Sequence, residues 1–213
     1  MIMNFTKWQF MKTTRRWELI NLLSKTFSYT SYLEIGCDLD ICFNKVSIHD
    51  KIGVDPFRGG THRITSDEFF NSNTRKFDII FIDGLHHSHQ VIKDLYNSLD
   101  ALSNTGIVLL HDTMPTYEWS QIIPVAAARE HKDFNGGWLG DCWKAIAEAR
   151  CDKNINTCTV ALETGISFVK KKTNNKLMQS TVLDNLNWEY YIHNKQNLLN
   201  IIDTSDIMTW ASE

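Results

Sequence analysis

Apolar residues recur along this chain in two rhythms. In "RRWELINLLSKTF", Trp17, Ile20, Leu23 and Phe27 fall at helical spacing, which predicts a helix from about Arg15 to Ser28. Val91, Leu95, Leu99 and Leu102 repeat that spacing in "SHQVIKDLYNSLDAL", with Ser88 as its N-cap, and "DCWKAIAEAR" turns Trp143, Ile146 and Ala147 to one side behind Asp141 as N-cap. Between them stand short apolar runs that read as strands: "SYLEIGCD", "KIGVDPF", "FDIIFID" and "GIVLLHD". "HRITSDEFF" predicts one more short strand, followed by a helix capped at Ser66 or Asp67. "CTVALETGISFVKK" predicts a hairpin that turns at Thr164-Gly165, and a helical tail follows from about Leu177. Near-continuous apolar strands alternating with amphipathic helices predict an α/β doubly wound fold, its mostly parallel sheet covered on both faces. The hairpin adds an antiparallel strand. The expected organisation is a helical lead-in over 1–30, one domain over 31–173 and a helical extension over 174–213.

Composition narrows the function classes. With 213 residues and 43% apolar residues, the chain can bury the core of one domain. Lys plus Arg is 22 against 25 for Asp plus Glu, a net charge of -3, so no basic excess points to a nucleic acid partner. Five cysteines with no C-x-x-C pair indicate neither a zinc ribbon nor a disulfide framework, and a reducing, cytoplasmic setting is expected. No apolar run approaches membrane-spanning length, so no membrane partner is expected. The acid-free start, with Lys7, Lys12, Arg15 and Arg16, faintly resembles a transit peptide but lacks a secretory apolar stretch; it reads as a solvated lead-in. Self-association is left open.

The strands end on chemistry. Open α/β sheets bind ligands beyond the carboxyl ends of their strands. Those ends here are Glu34-Ile35-Gly36, Asp55, Ser66-Asp67, Asp83 and His111-Asp112. "EIGCDLD" has one glycine where a dinucleotide fingerprint wants three, and an acid-rich rim suits a positively charged ligand without phosphate. Gly36 permits close backbone approach, and Asp55 can accept bonds from a ribose diol. Singly, Glu34 could cap a loop and Asp55 could start the turn at Pro56; together, acids at one sheet edge favour a site.

The ordered set "YLEIGCD", "GVDP", "TSDEFF", "FDIIFIDGLHH", "GIVLLHD" and "WLGDCWKA", spanning Tyr32 to Lys172, resembles class I S-adenosylmethionine-dependent methyltransferases. The nearest likeness is to the small-molecule and sugar O-methyltransferase branch that includes macrocin-type enzymes. The resemblance implies a seven-stranded Rossmann-like sheet and S-adenosylmethionine as cofactor. It implies that Glu34 and Gly36 border the methionine end beside Asp83, that Asp55 holds the ribose hydroxyls, and that Ser66 and Asp67 border the adenine. Asp38 and Asp40 depart from the pattern, since that family usually keeps glycines in this loop.

In such a fold Asp83 and Asp112 end adjacent strands, about 4.8 Å apart. Two carboxylates that close require a proton or a cation between them, and hard divalent cations prefer oxygen ligands. Several relatives hold magnesium there. His111 stands where some carry a third acid, and Thr113 is the other candidate; an imidazole would shift preference toward manganese, iron or zinc. The expected ion is magnesium or manganese. His86 matches the D-x-x-H spacing at which macrocin-like relatives place a general base, its bland alternative being a helix-entry residue; His87 and His89 read as surface residues. Trp138, in a Gly-flanked loop, either packs structurally or walls the acceptor site.

The expected activity is cation-assisted transfer of a methyl group to a hydroxyl of a small molecule or saccharide. A nicotinamide-dependent oxidoreductase is the rival enzyme, opposed by the missing glycines and the Asp83/Asp112 pair. A non-catalytic cofactor-binding subunit is the rival that Asp38 and Asp40 leave open.

Overall fold

A computed structural model describes residues 15–213, so the basic lead-in before Arg15 lies outside the described residues. In chain order the elements are α1 (Arg16–Phe27), β1 (Ser31–Ile35), α2 (Ile41–Lys45), β2 (Asp50–Val54), α3 (Ser66–Ser72), β3 (Phe77–Ile82), α4 (Ser88–Asp100) and β4 (Leu102–Leu110). Then come α5 (Val125–Arg129), α6 (Cys142–Ala149), β5 (Ile155–Val160), β6 (Ile166–Lys171), α7 (Trp188–Leu198) and α8 (Ile207–Ser212). Among the described residues six strands form one sheet in the order β2-β1-β3-β4-β6-β5. β2, β1, β3 and β4 are parallel, and β6 runs antiparallel to both β4 and β5.

The strand alternation sorts side chains into two cores. Leu33, Ile80, Val108 and Val169 stand in register on one face, with α4, α6 and α7 over them. Tyr32, Ile79 and Ile107 stand on the other, under Leu19, Ile20 and Leu23 of α1. A strand buried on both faces needs apolar residues at every position, which is why these runs are nearly uninterrupted. Trp143 of α6 is fully buried against Tyr191 of α7, ring centroids 4.7 Å apart, and its Nε1 donates to Gln121 Oε1 at 2.9 Å.

Four expectations change. The segment after Gly60 makes only an isolated bridge, Val54 to His62, instead of a strand, so the sheet has six strands and not seven. His62 is spent on Gly53 and Asp55, and the chain enters α3 four residues later. The cap of α3 is Thr65, in a reciprocal box with Glu68; Ser66 and Asp67 lie inside the helix. Leu102, read as the end of a helical stripe, opens β4. His87, not Ser88, is the N-cap of α4; Asp141 stands at the N-cap of α6 as expected, but its carboxylate makes no capping bond there and instead accepts the Ser88 amide and hydroxyl at 2.7 and 3.0 Å.

The tail does more than lie outside the sheet. Tyr191, Leu198 and Leu199 are buried in one core and Ile207 and Ala211 in the other. Between them the chain crosses the outer edge of β5, where the Thr159 amide donates to Asn200 and the Ile202 amide to Thr159. The edge strand is thereby covered. No helix among the described residues is long and apolar enough to cross a membrane, and all five cysteines are free.

Candidate functional site

Register brings the strand ends level. Ile35, Ile82 and Leu110 are partners across β1, β3 and β4, and the ladder runs on as Asp83 donates its amide to Ile35 and His111 to Ile82. Gly36, Asp83 and His111 therefore share one edge, with Asp112 one step beyond at φ 57°. Gly36 sits at φ 87°, and a Cβ there would lie 2.2 Å from the Asp83 carbonyl oxygen, so only glycine lets the two strand ends meet. Asp38 and Asp40 adopt φ values of 45° and 60°. Aspartate is among the few residues that tolerate this left-handed region, so the loop keeps a glycine-like path without glycine.

A cavity of about 800 Å³ opens over this edge, a size that suits a cofactor-scale ligand. Its lining includes Thr65, Ser66, Asp67, Gln90 and Asp94 from α3 and α4, Gly36, Asp55 and Phe57 beyond β1 and β2, and Glu34, Arg16, Asp83 and His111 around the ends of β1, β3 and β4. All six cofactor-site expectations thus line one cavity. Asp67 is held by Lys93 at 2.6 Å and Gln90 at 3.1 Å. The Asp55 carboxylate accepts the amides of Asp38, Phe57 and Arg58 at 3.0, 2.8 and 2.9 Å. A ribose bound here would share the acceptor capacity of this carboxylate with those loop amides. Burial pushes the Asp55 pKa upward, but the amides outweigh it and the net shift is down.

Glu34 is almost wholly buried and takes a 2.5 Å hydrogen bond from Tyr32. Loss of solvent, reinforced by the Asp83 charge, pushes its carboxyl up to about 7 despite that bond.

The acid pair meets both histidines. His111 Nδ1 lies 3.2 Å from Asp83 and 3.1 Å from Asp112, and its Nε2 lies 2.9 Å from Glu163, which Arg16 grips at 2.9 Å. Burial disfavours the imidazolium, yet these carboxylates outweigh it and raise the His111 pKa well above its usual value. Asp83 is shifted the opposite way: desolvation pushes up, but His111 holds it far below the carboxylate range. His86 Nε2 lies 3.4 Å from Asp83 and its Nδ1 3.5 Å from Asp112; that Nδ1 is buried without a hydrogen-bond partner. Burial again opposes charge on His86, and Asp83 and Asp112 override it.

Asp83, His86 and Asp112 each offer one donor atom within 4.8 Å of the others. Cis ligands of an ion with bonds of about 2.1 Å stand roughly 3 Å apart, so a small contraction brings these donors to an ion. The orphaned Nδ1 and the facing carboxylates fit a divalent cation. His111, expected as the third ligand, has both ring nitrogens engaged by carboxylates. Thr113 is fully buried and accepts from Ser167 Oγ at 2.9 Å.

Trp138 stacks on His86, centroids 5.4 Å apart and planes 24° apart, and its Nε1 donates to Ile122 at 2.6 Å. His87 is half-buried against the edge of the same indole, while His89 is exposed, so only His89 matches the surface reading. Arg16, Glu163, Gln90 and Asp94 were not anticipated. The first two come from a helix and a hairpin remote from the motifs; only the paired arginines opening α1 hinted at them.

A family profile described as a methyltransferase domain matches residues 50–113, which hold β2 through the Asp83 and Asp112 strand ends. Solved structures agree across the wider chain. A methyltransferase of Podospora anserina bound to S-adenosylhomocysteine aligns with a TM-score of 0.52 at 15% identity, over 80% of this chain and 86% of that one. The chain has the fold of these methyltransferases. An O-methyltransferase of Bacillus cereus in complex with S-adenosylhomocysteine aligns with it at a TM-score of 0.53 and 9% identity, over 80% and 89% of the two chains. A Streptomyces achromogenes O-methyltransferase involved in tomaymycin synthesis, in complex with S-adenosylmethionine, gives 0.50 at 9% identity over the same shares. At such identities the likeness is one of fold. No curated protein matches the sequence.

Proposed function

We propose that this protein is an S-adenosylmethionine-dependent O-methyltransferase, assisted by a divalent cation, that acts on a hydroxyl of a small molecule or saccharide. The observation that carries the reading is the convergence of Asp83, His86 and Asp112 at the end of an acid-lined cavity bounded by Glu34, Gly36 and Asp55. Bound cofactor would supply the methyl group and a cation would draw charge from the acceptor oxygen. Asp83 and Asp112 would hold the cation. His86 would take the acceptor's proton, its ring oriented by the Trp138 stack and the two carboxylates. Trp138 would also offer a flat face to a sugar or ring-bearing acceptor. Alignment of acceptor oxygen and methyl carbon falls to this rigid edge, because Asp83, His86 and Asp112 follow the ends of the adjacent strands β3 and β4.

The donor grouping favours a second reading of one residue, in which His86 is itself the third ligand. His86→Ala separates the two: a base leaves manganese affinity intact while turnover falls, whereas a ligand takes manganese affinity with it. For the activity as a whole, calorimetry with S-adenosylhomocysteine and an acceptor panel scored by its release are decisive. Preferential binding of NAD would overturn the proposal.

A further inference from the structure

Among the described residues the cavity is lined by seven carboxyl side chains, Glu34, Asp38, Asp55, Asp67, Asp83, Asp94 and Asp112, against one guanidinium. That guanidinium is Arg16, from the first turn of α1. Its NH1 donates to Glu163 at 2.9 Å and its backbone amide to the same carboxylate at 3.4 Å, so the side chain is anchored before any ligand arrives. Its Nε is buried and has no hydrogen-bond partner; Asp83 Oδ2 lies 3.6 Å away, within ion-pair range but outside hydrogen-bond geometry. A buried guanidinium N–H left unpaired is costly, and its position on a cavity wall gives it somewhere to donate.

This step rests on the cofactor reading above. With adenine at the Ser66, Asp67 and Gln90 end and ribose at Asp55, the amino-acid end of S-adenosylmethionine reaches Glu34, Asp83 and Arg16. That end carries an ammonium, a sulfonium and a carboxylate. The acids suit the two cations but each would repel the carboxylate, and the His111 ring is already engaged by Asp83, Asp112 and Glu163. The nearby loop offers little relief, since the Asp38 amide is already given to Asp55. We propose that Arg16 anchors the cofactor's carboxylate through its unpaired Nε, with the planar fork of the guanidinium matching the two oxygens. α1, which lies before the first strand, would then be part of the cofactor site and not merely a cover for the sheet.

Calorimetry on the full chain with three probes tests this: S-adenosylhomocysteine, its decarboxylated analogue, and 5′-methylthioadenosine, which lacks the amino-acid end. The wild type should prefer S-adenosylhomocysteine to the decarboxylated analogue by at least about tenfold, and Arg16→Gln should weaken S-adenosylhomocysteine by about 10–100-fold. The other two probes should change less than about twofold, and Arg16→Lys should recover part of the loss. If Arg16→Gln weakens all three probes equally, Arg16 is only a counter-charge for Asp83 and Glu163, and the proposal falls. Equal wild-type affinity for the acid and its decarboxylated analogue also overturns it, without needing any variant to fold. A wild type that binds none of the three overturns the cofactor reading itself, and this proposal with it.

Discussion

Glu34→Gln removes one ionisable proton and almost no volume. Gln keeps a carbonyl oxygen that can accept the Tyr32 hydroxyl now 2.5 Å from Glu34. In the folded protein, burial and the Asp83 charge raise the Glu34 carboxyl from 4.5 to about 7. A raised pKa means that the folded state holds the proton more tightly than the unfolded chain. The favourable contribution is complete below about pH 4.5 and is lost as pH rises through about 7. At about 1.36 kcal/mol per pKa unit, the ionised side chain costs roughly 3 kcal/mol at pH 8 and under about 1 kcal/mol at pH 5. Urea unfolding of wild type and variant at both pH values measures the difference, and effects of other groups cancel in the comparison. The variant should be more stable by roughly 3 kcal/mol at pH 8, or roughly 6–12 °C in melting temperature for a chain this long. At pH 5 the gain should nearly vanish. A stability difference that is flat between pH 5 and pH 8, or a less stable variant at pH 8, refutes the burial argument. The same variant should bind S-adenosylhomocysteine less well, since it lacks the acid that lines the cavity and would meet the ligand's ammonium.

Asp112→Asn keeps the shape of the strand end while removing charge, so manganese binding followed by electron paramagnetic resonance should be lost with melting nearly unchanged; retained binding would remove Asp112 from the ion site. His86→Ala should lower kcat by about 10²–10⁴, with His87→Ala and His89→Ala close to wild type. Without an ion Asp83 and Asp112 raise the His86 pKa; an ion held between them would offset that pull, so turnover with cation present should climb with pH through the ordinary histidine range around 6.5 and then level. A rate that is flat from pH 6 to 9 would place the base elsewhere. Trp138→Ala removes a stack worth about 0.5–1.5 kcal/mol and should raise the acceptor KM while S-adenosylhomocysteine affinity holds; unchanged KM would make Trp138 purely structural.

Reading from sequence succeeded where one local rule decides the outcome. The runs before Asp83 and His111 had to be doubly buried strands, and a doubly buried strand delivers its next polar residue to the sheet edge. It failed where two rules competed. The residues after Gly60 suit a strand, but the Thr65–Glu68 cap claims the chain for a helix first. Asp141 has the right place to cap α6, yet its carboxylate serves Ser88, 53 residues earlier. Arg16 and Glu163 were invisible for a related reason: each is unremarkable in its own segment, and only their meeting across 147 positions gives them a role.

The crossing of the chain over β5 has a consequence for how the protein is made. Neither sheet face is closed until residues 188–211 dock, because Tyr191 and Leu198 complete one core and Ile207 and Ala211 the other. During vectorial synthesis the sheet must therefore wait, with the outer edge of β5 uncovered and two apolar surfaces bare, until the segment that seals both has emerged. Nascent chains halted just past β6 would be the species most prone to capture by chaperones or by each other. Folding of this enzyme-like domain is thus committed late in translation, by the part of the sequence farthest from its chemistry.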